Sequence, residues 1–110
     1  MITLTVLCQD GAEKKIEDVV SQSNDRKWCA ENALFTVNGI SFFPAYGIDK
    51  KPFVFVVNNG RVSNKLIYRL TDDKVIESSM SDYTYDKFKK ALEDNRQLIQ
   101  DTLDEVQVYA

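Results

Sequence analysis

The most constraining feature of this chain is a short central run, Phe53–Val57, in which every residue is aromatic or β-branched. Residues of this kind favour a β-strand over a helix. Pro52 precedes the run, and a proline is best tolerated at the first residue of a strand, where its missing N–H costs least. Asn59-Gly60 follows, and this pair suits the positive φ angles of a tight hairpin turn. The sequence therefore predicts a strand that begins at Pro52 and returns antiparallel from Arg61.

Composition narrows the class of protein. The chain has 110 residues, of which 44% are hydrophobic, so we expect a single domain spanning residues 1–110 with one core. The net charge of −3 argues against nucleic acid as a partner. No apolar run approaches the roughly 20 residues that a membrane-spanning helix needs, so no membrane association is expected. The N-terminus has no basic segment followed by an apolar stretch, so we expect a cytoplasmic location.

Three further segments before the centre have recognisable patterns. Ile2–Leu7 is rich in β-branched residues and predicts a strand. Apolar residues at helical spacing between Ala12 and Val20 predict a helix that ends near Ser23, with Lys14 and Lys15 on its solvated face. Ala33–Val37 predicts a second strand, which Asn38-Gly39 ends. A strand, a helix and a strand in this order predict a right-handed crossover between parallel strands.

After the centre, the sequence predicts two strands and a long helix. Residues 61–70 are expected to form a strand, and Val75-Ile76 is expected to start another after a polar turn. Thr84 is a good N-cap residue for the last helix. The apolar residues of that helix recur at helical spacing: Phe88, Ala91, Leu92, Leu98, Ile99, Leu103 and Val106. Most of this stripe is expected in the core, and its C-terminal end, Leu103, Val106 and Val108, is a candidate surface for homo-oligomer assembly.

The central stretch resembles bacterial thioredoxins around their cis-proline. The matching residues are Pro44, Tyr46, Gly47, Ile48, Pro52, Asn59, Gly60 and Val62. The resemblance implies an α/β, thioredoxin-like fold, with a mixed four- or five-stranded sheet flanked by helices and a long C-terminal helix. It also implies a cis peptide bond before Pro52, a helix crossing the sheet around Ile40–Gly47, and Cys8 at the position of the first active-site cysteine. The chain departs from the family in having Gly11 where the second cysteine would be, Leu7 in place of a tryptophan, and an insertion of about a dozen residues before the last helix.

Cys8 is the one candidate catalytic residue. At a helix N-terminus its thiolate would be favoured by the helix dipole, and the thioredoxin-like arrangement would place Lys51 against it, with Lys50 next along the chain. Asp10 opposes this effect because it carries a negative charge. Without a second thiol, dithiol exchange is excluded. Cys8 is therefore either a buried residue at a strand end or a single reactive thiol.

Three functional hypotheses remain open. The first is a non-catalytic thioredoxin-fold module that docks a protein partner near Cys8, with Gln9, Asp10, Lys50, Lys51 and Pro52 as binding residues. The second is a monothiol redox protein, linked to glutathione or another thiol, that uses Cys8. The third is a small interaction or inhibitory protein that assembles through its C-terminal helix. The absence of histidine and the presence of only two cysteines favour a role without a metal, a cofactor or an enzymatic activity.

Overall fold

The computed structural model describes residues 3–58 and 64–109, with side chains described as far as Val106. Within these residues, one sheet is formed by seven strands: β1 (Thr5–Leu7), β2 (Glu13–Lys15), β3 (Phe35–Val37), β4 (Ile40–Tyr46), β5 (Pro52–Asn58), β6 (Lys65–Arg69) and β7 (Lys74–Ser78). The helices are α1 (Ile16–Gln22), α2 (Arg26–Asn32) and α3 (Asp82–Tyr109).

The sheet is antiparallel at every described strand pair, in the order β2-β1-β4-β5-β6-β7. The third strand, β3, pairs with β4 on the edge that β4 shares with β1. The predicted thioredoxin-like α/β fold with a mixed sheet is therefore wrong, and so is the parallel crossover. The physical reason lies after β1, where the chain turns back into β2 as a hairpin, and a helix begins only at Ile16.

Strand β4 replaces the crossing helix that the family resemblance implied. All of its residues are buried, because both faces of this central strand are covered. Successive side chains of a strand point to opposite faces, so Phe42 belongs to one apolar cluster and Phe43 to the other. A strand buried in this way needs an unbroken apolar run, and the segment from Ile40 to Tyr46 supplies one.

The prediction for β5 is confirmed in part. The strand begins at Pro52 and pairs antiparallel with β6. The Asn59-Gly60 turn lies outside the described residues. The peptide bond before Pro52 is trans, since the described residues contain no cis bond, so the expected cis-proline is wrong. A tight Asn-Gly turn does occur between β3 and β4, where Asn38 and Gly39 have φ angles of 53° and 81°.

Two apolar clusters lie on the two faces of the sheet. On the first face, α3 covers β4, β5 and β6, with fully buried side chains that include Phe42, Val54, Tyr68, Phe88, Leu92, Ile99 and Leu103. On the second face, α1 and α2 cover the sheet, with buried side chains that include Val6, Ile16, Val19, Cys29, Phe43, Phe55 and Val57. The short helices and the long helix therefore enclose the sheet from opposite sides.

The last helix agrees with its predicted apolar stripe but begins earlier than expected. The helix starts at Asp82, and the Ser81 hydroxyl accepts a hydrogen bond from the Thr84 N–H at 3.3 Å, so Ser81 and not Thr84 caps it. The strand predicted at Val75-Ile76 is confirmed as β7. No helix in the described residues is long and apolar enough to cross a membrane.

The assembly surface predicted at the C-terminal end of α3 loses one of its three residues in the structure. Leu103 is fully buried, and Val106 is partly buried against the same cluster. The side chain of Val108 lies outside the described residues. Because a buried side chain cannot contact a second subunit, the prediction is wrong for Leu103.

A polar cluster fixes α3 to the turn between β6 and β7. Arg96 donates to the carbonyl oxygen of Leu70 at 2.7 Å and pairs with the carboxylate of Asp73. The Tyr68 hydroxyl donates to the same carboxylate at 3.2 Å, and Lys89 donates to that hydroxyl at 3.1 Å. The bond from Arg96 holds the pKa of Asp73 below its ordinary value. These contacts therefore hold α3 against the sheet at a point N-terminal to the part of the helix that approaches the β1–β2 hairpin.

Candidate functional site

A gap in the sheet opens beside Pro44. Strand β1 pairs with β4 at Ala45 and Tyr46, whereas β3 pairs with it at residues 40–42. The carbonyl oxygen of Phe42 accepts a bond from the Leu34 N–H at 2.9 Å, so the backbone of Phe42 faces β3. Alternate residues of a strand direct their backbone groups to the same side, so Pro44 faces the gap where β1 and β3 part. A proline fits there because no ladder bond needs its N–H.

This gap opens into a cleft of about 630 Å³ between the sheet and the C-terminal part of α3. Its apolar lining consists of buried and half-buried side chains: Leu7, Leu34, Pro44 and Val106. Exposed polar side chains stand around it: Gln9, Asp10, Glu13 and Glu105. Cys8, Gly11 and Thr102 complete the lining. We call this space the Pro44 cleft.

The loop between β1 and β2 forms one wall of the Pro44 cleft and is held by local hydrogen bonds. The Cys8 N–H donates to the Ala12 carbonyl at 2.9 Å, and the Gly11 N–H donates to the Cys8 carbonyl at 2.9 Å. The carboxylate of Asp10 accepts from the Ala12 N–H at 2.9 Å, so Asp10 shapes this turn and does not start a helix. The Gln9 N–H donates to the carbonyl of Asn32 at 2.8 Å, which ties the loop to the end of α2.

The thiol of Cys8 is poorly suited to nucleophilic chemistry. Cys8 is only 5% exposed. Burial raises the pKa of the Cys8 thiol above its ordinary value, the charge of Lys14 lowers it, and the charge of Asp10 raises it. The net direction is upward, which is opposite to the lowering that contact with Lys51 would produce. Cys29 is fully buried in the cluster on the other face of the sheet, so it does not complete a dithiol pair.

We expect Cys8 to react slowly in the folded protein. In a Cys29→Ala variant, iodoacetamide at a pH of about 8 should modify native Cys8 at least ~10-fold more slowly than the same thiol in urea, because reaction needs an exposed thiolate. The rate at which native Cys8 is modified should still be rising at pH 9.0, which is the ordinary pKa of a thiol. The reason is that burial raises the pKa of Cys8 in the folded protein. A native rate equal to the unfolded rate, or a plateau below pH 9.0, would contradict this assignment.

The structure separates Cys8 from the predicted binding residues at the other end of the sheet. Thr5 pairs with Tyr46, and Tyr46 pairs with Pro52. Pro52 therefore lies two strands from β1 and level with Thr5, at the end of β1 opposite Cys8. With a strand spacing of about 4.8 Å and a rise of about 3.3 Å per residue, the backbones of Cys8 and Pro52 are more than about 10 Å apart. The proposed contact between Lys51 and Cys8 therefore does not form.

Lys50 and Lys51 belong to the tight turn between β4 and β5. The Lys51 ammonium lies 3.6 Å from the carboxylate of Asp49, and the Lys50 ammonium lies 4.8 Å from the centre of the Tyr46 ring. Ile48, at the tip of this turn, is 86% exposed. Another cleft, of about 390 Å³, adjoins the turn and includes Lys51 and Arg69 in its lining. Of the predicted site residues, only Cys8, Gln9 and Asp10 lie together in the Pro44 cleft.

Several lining residues were not predicted as part of any site: Glu13, Leu34, Pro44 and Glu105. They come from four separate segments, and neither a motif nor a regular spacing in the sequence connects them. Burial raises the pKa of the neighbouring Tyr46, and its hydrogen bond with Glu13 raises it further. That bond places the Glu13 carboxylate beside the first apolar cluster, at the edge of the cleft.

The described residues contain no group of three or more His, Cys, Asp and Glu side chains that could hold a metal ion. The Pro44 cleft has an apolar interior and an edge of exposed polar side chains. No protein-family model, no curated protein and no solved structure matches this chain.

Proposed function

We propose that this protein is a non-catalytic binding module that holds a segment of a protein partner in the Pro44 cleft. One observation carries the proposal: a preformed cleft of about 630 Å³ joins an apolar interior to an edge of exposed polar side chains. Binding sites in proteins have this anatomy, since apolar contacts supply affinity and a few polar groups fix orientation. In this proposal Cys8, Gln9 and Asp10 remain site residues. Cys8 lines the cleft and does not act as a catalytic thiol.

The chemistry of Cys8 supports binding over catalysis. A redox role needs a thiol that becomes a thiolate near neutral pH, whereas burial raises the pKa of Cys8. The peptide N–H groups of Cys8 and Gly11 already bond to carbonyl oxygens within the loop. Neither the thiol nor the loop backbone is therefore poised to activate a substrate.

The walls of the cleft support binding because they are already fixed. The β1–β2 loop bonds to α2 through Gln9, and α3 is anchored by Arg96. Leu7 and Pro44 are buried parts of the sheet. A site whose walls do not have to be ordered loses less conformational entropy when a partner binds. Little of the favourable free energy of contact with a partner is therefore offset by ordering of the cleft walls.

The proposal predicts that filling the cleft abolishes peptide binding. Peptides are first selected from a random library on the wild-type protein, and their affinities are then measured by fluorescence anisotropy. Thr102→Trp places a large ring in the lining, so we expect at least a ~10-fold loss of affinity, equal to about 1.4 kcal/mol. Gln97→Trp is the matched control, since Gln97 is exposed on the same helix and is not a lining residue.

Two results would contradict the proposal. Selected peptides that bind Thr102→Trp and the wild type equally well would place their site elsewhere. A library that yields no peptide with measurable affinity for the wild type would remove the binding role. Circular dichroism of both tryptophan variants checks that each remains folded.

A further inference from the structure

We infer that the segment held in the Pro44 cleft is basic, with an apolar side chain flanked by positive charges. The inference rests on the proposed function and specifies the partner of that same site. It begins from the charge of the lining, in which Asp10, Glu13 and Glu105 are acidic and no Lys or Arg takes part among the described residues. A cleft with an apolar interior and only negative charges at its edge selects its ligand by charge as well as by shape.

No carboxylate of the cleft takes part in an ion pair with another described residue. Asp49 pairs with Lys51, Asp72 with Arg69, and Asp73 with Arg96. Within residues 3–58 and 64–106, no such pair includes a residue that lines the Pro44 cleft. Lys14 is close enough to lower the pKa of Cys8, but it does not line the cleft. A cationic partner would therefore find negative charges that the chain itself does not neutralise.

The direction of α3 adds to this negative potential. The C-terminal end of a helix carries a partial negative charge and favours basic side chains. Here the helix has no basic residue in its last turn, and Asp101, Asp104 and Glu105 approach that end. Side-chain amides bond to two of these acids, from Gln97 to Asp101 at 2.7 Å and from Gln100 to Asp104 at 3.0 Å, but amides leave the charge in place. A basic segment would therefore interact favourably with the helix end and with these carboxylates.

The apolar lining sets the second requirement. Leu7 and Pro44 are buried, and Leu34 and Val106 are half-buried around the opening. A purely cationic chain would leave this surface without a partner, whereas one aliphatic side chain between two cations would cover it and place the charges at the edge. Buried apolar anchors with a charged rim are the usual energetic pattern of such contacts.

Three synthetic peptides test the inference: Gly-Ser-Lys-Leu-Lys-Ser-Gly, its neutral counterpart with Ser in place of Lys, and its acidic counterpart with Glu. Each carries the same fluorophore and is titrated into the wild-type protein. We expect the lysine peptide to bind at least ~10-fold more tightly than the serine peptide, and the glutamate peptide to bind most weakly. Raising the salt concentration from about 0.05 M to about 0.5 M should reduce this preference, because exposed charges are screened.

A double variant locates the effect. Asp10→Asn with Glu105→Gln removes two charges and keeps an oxygen acceptor for the Ala12 N–H, so the fold should survive. Its affinity for the lysine peptide should fall by roughly 3- to 30-fold while its affinity for the serine peptide stays the same. Glu93→Gln with Asp94→Asn removes two exposed acids of the same helix that do not line the cleft, and it should bind as the wild type does.

The outcomes distinguish this inference from the proposed function. Equal binding of the lysine and serine peptides, lost in Thr102→Trp, would overturn the basic specificity and leave the binding role intact. Absence of lysine-peptide binding would overturn the inference, and absence of library-selected binding as well would remove the function. Concentration-dependent self-association that Thr102→Trp abolishes would assign the cleft to a second copy and would also overturn the inference.

Discussion

Leu103→Ala is expected to lower the free energy of unfolding by about 2–5 kcal/mol. Leu103 is fully buried against the first face of the sheet, and its truncation leaves a cavity that the packed neighbours can only partly close. A domain of this size is typically stable by about 5–15 kcal/mol, so the change would be visible as a large shift in a urea unfolding curve. If Leu103 belonged to an assembly surface instead, the monomer would lose almost nothing.

Leu98→Ala is the matched control for that measurement. It makes the same substitution on the same helix, at a side chain that is 47% exposed. Alanine also has the higher helix propensity, so the loss should stay within about 1 kcal/mol. Similar losses at Leu98 and Leu103 would contradict the orientation of α3 against the sheet.

Phe43→Ala is expected to cost about 3–5 kcal/mol. The Phe43 side chain is fully buried on the second face, where its ring centre lies 5.8 Å from that of Trp28 and 5.9 Å from that of Phe55. Removing it therefore deletes apolar burial and two ring contacts. Urea unfolding followed by circular dichroism measures the loss.

Ile48→Ala serves as the control for Phe43→Ala. Ile48 lies just beyond the end of the same strand but is 86% exposed, so its truncation should change stability by no more than about 0.5 kcal/mol. Phe42→Ala adds a test of the strand itself, because Phe42 and Phe43 belong to different clusters. A destabilisation caused by Phe42→Ala alone, with Phe43→Ala neutral, would show that only one face of β4 is covered.

The parts of the fold that the sequence predicted correctly are those with an unambiguous pattern. Strand β5 has only aromatic and β-branched residues at its centre, and α3 has a long stripe at helical spacing. Strand β4 was misread because a strand buried on both faces has no alternation, and such a run cannot be distinguished from a buried helix by periodicity. The family resemblance then favoured the helix.

The short strand β2 was misread for a different reason. Glu13, Lys14 and Lys15 look like the solvated face of a helix, but charged side chains are equally suited to the edge of a sheet, where they discourage pairing with another chain. The residues that follow, from Ile16, are indeed helical. Sequence alone could not decide where the strand ends, because this depends on the pairing of β2 with β1.

The site could be predicted only where it is local in sequence. Cys8, Gln9 and Asp10 are neighbours in one loop, and all three line the Pro44 cleft. Glu105 joins them only because α3 crosses the sheet and ends near the β1–β2 loop. The thioredoxin-like arrangement would have placed Lys51 and Pro52 beside Cys8, which the pairing of the antiparallel sheet excludes. The chemistry of the cleft is therefore a consequence of tertiary structure.

The most direct test of this account is a map of amide chemical shifts during titration of the ¹⁵N-labelled protein with the Lys-Leu-Lys peptide. We expect the largest changes in the β1–β2 loop from Leu7 to Glu13, at Leu34, and on α3 from Thr102 to Val106, because these segments line one cleft. Changes centred on Asp49–Phe53 instead, or a spectrum that does not change at saturating peptide, would contradict it.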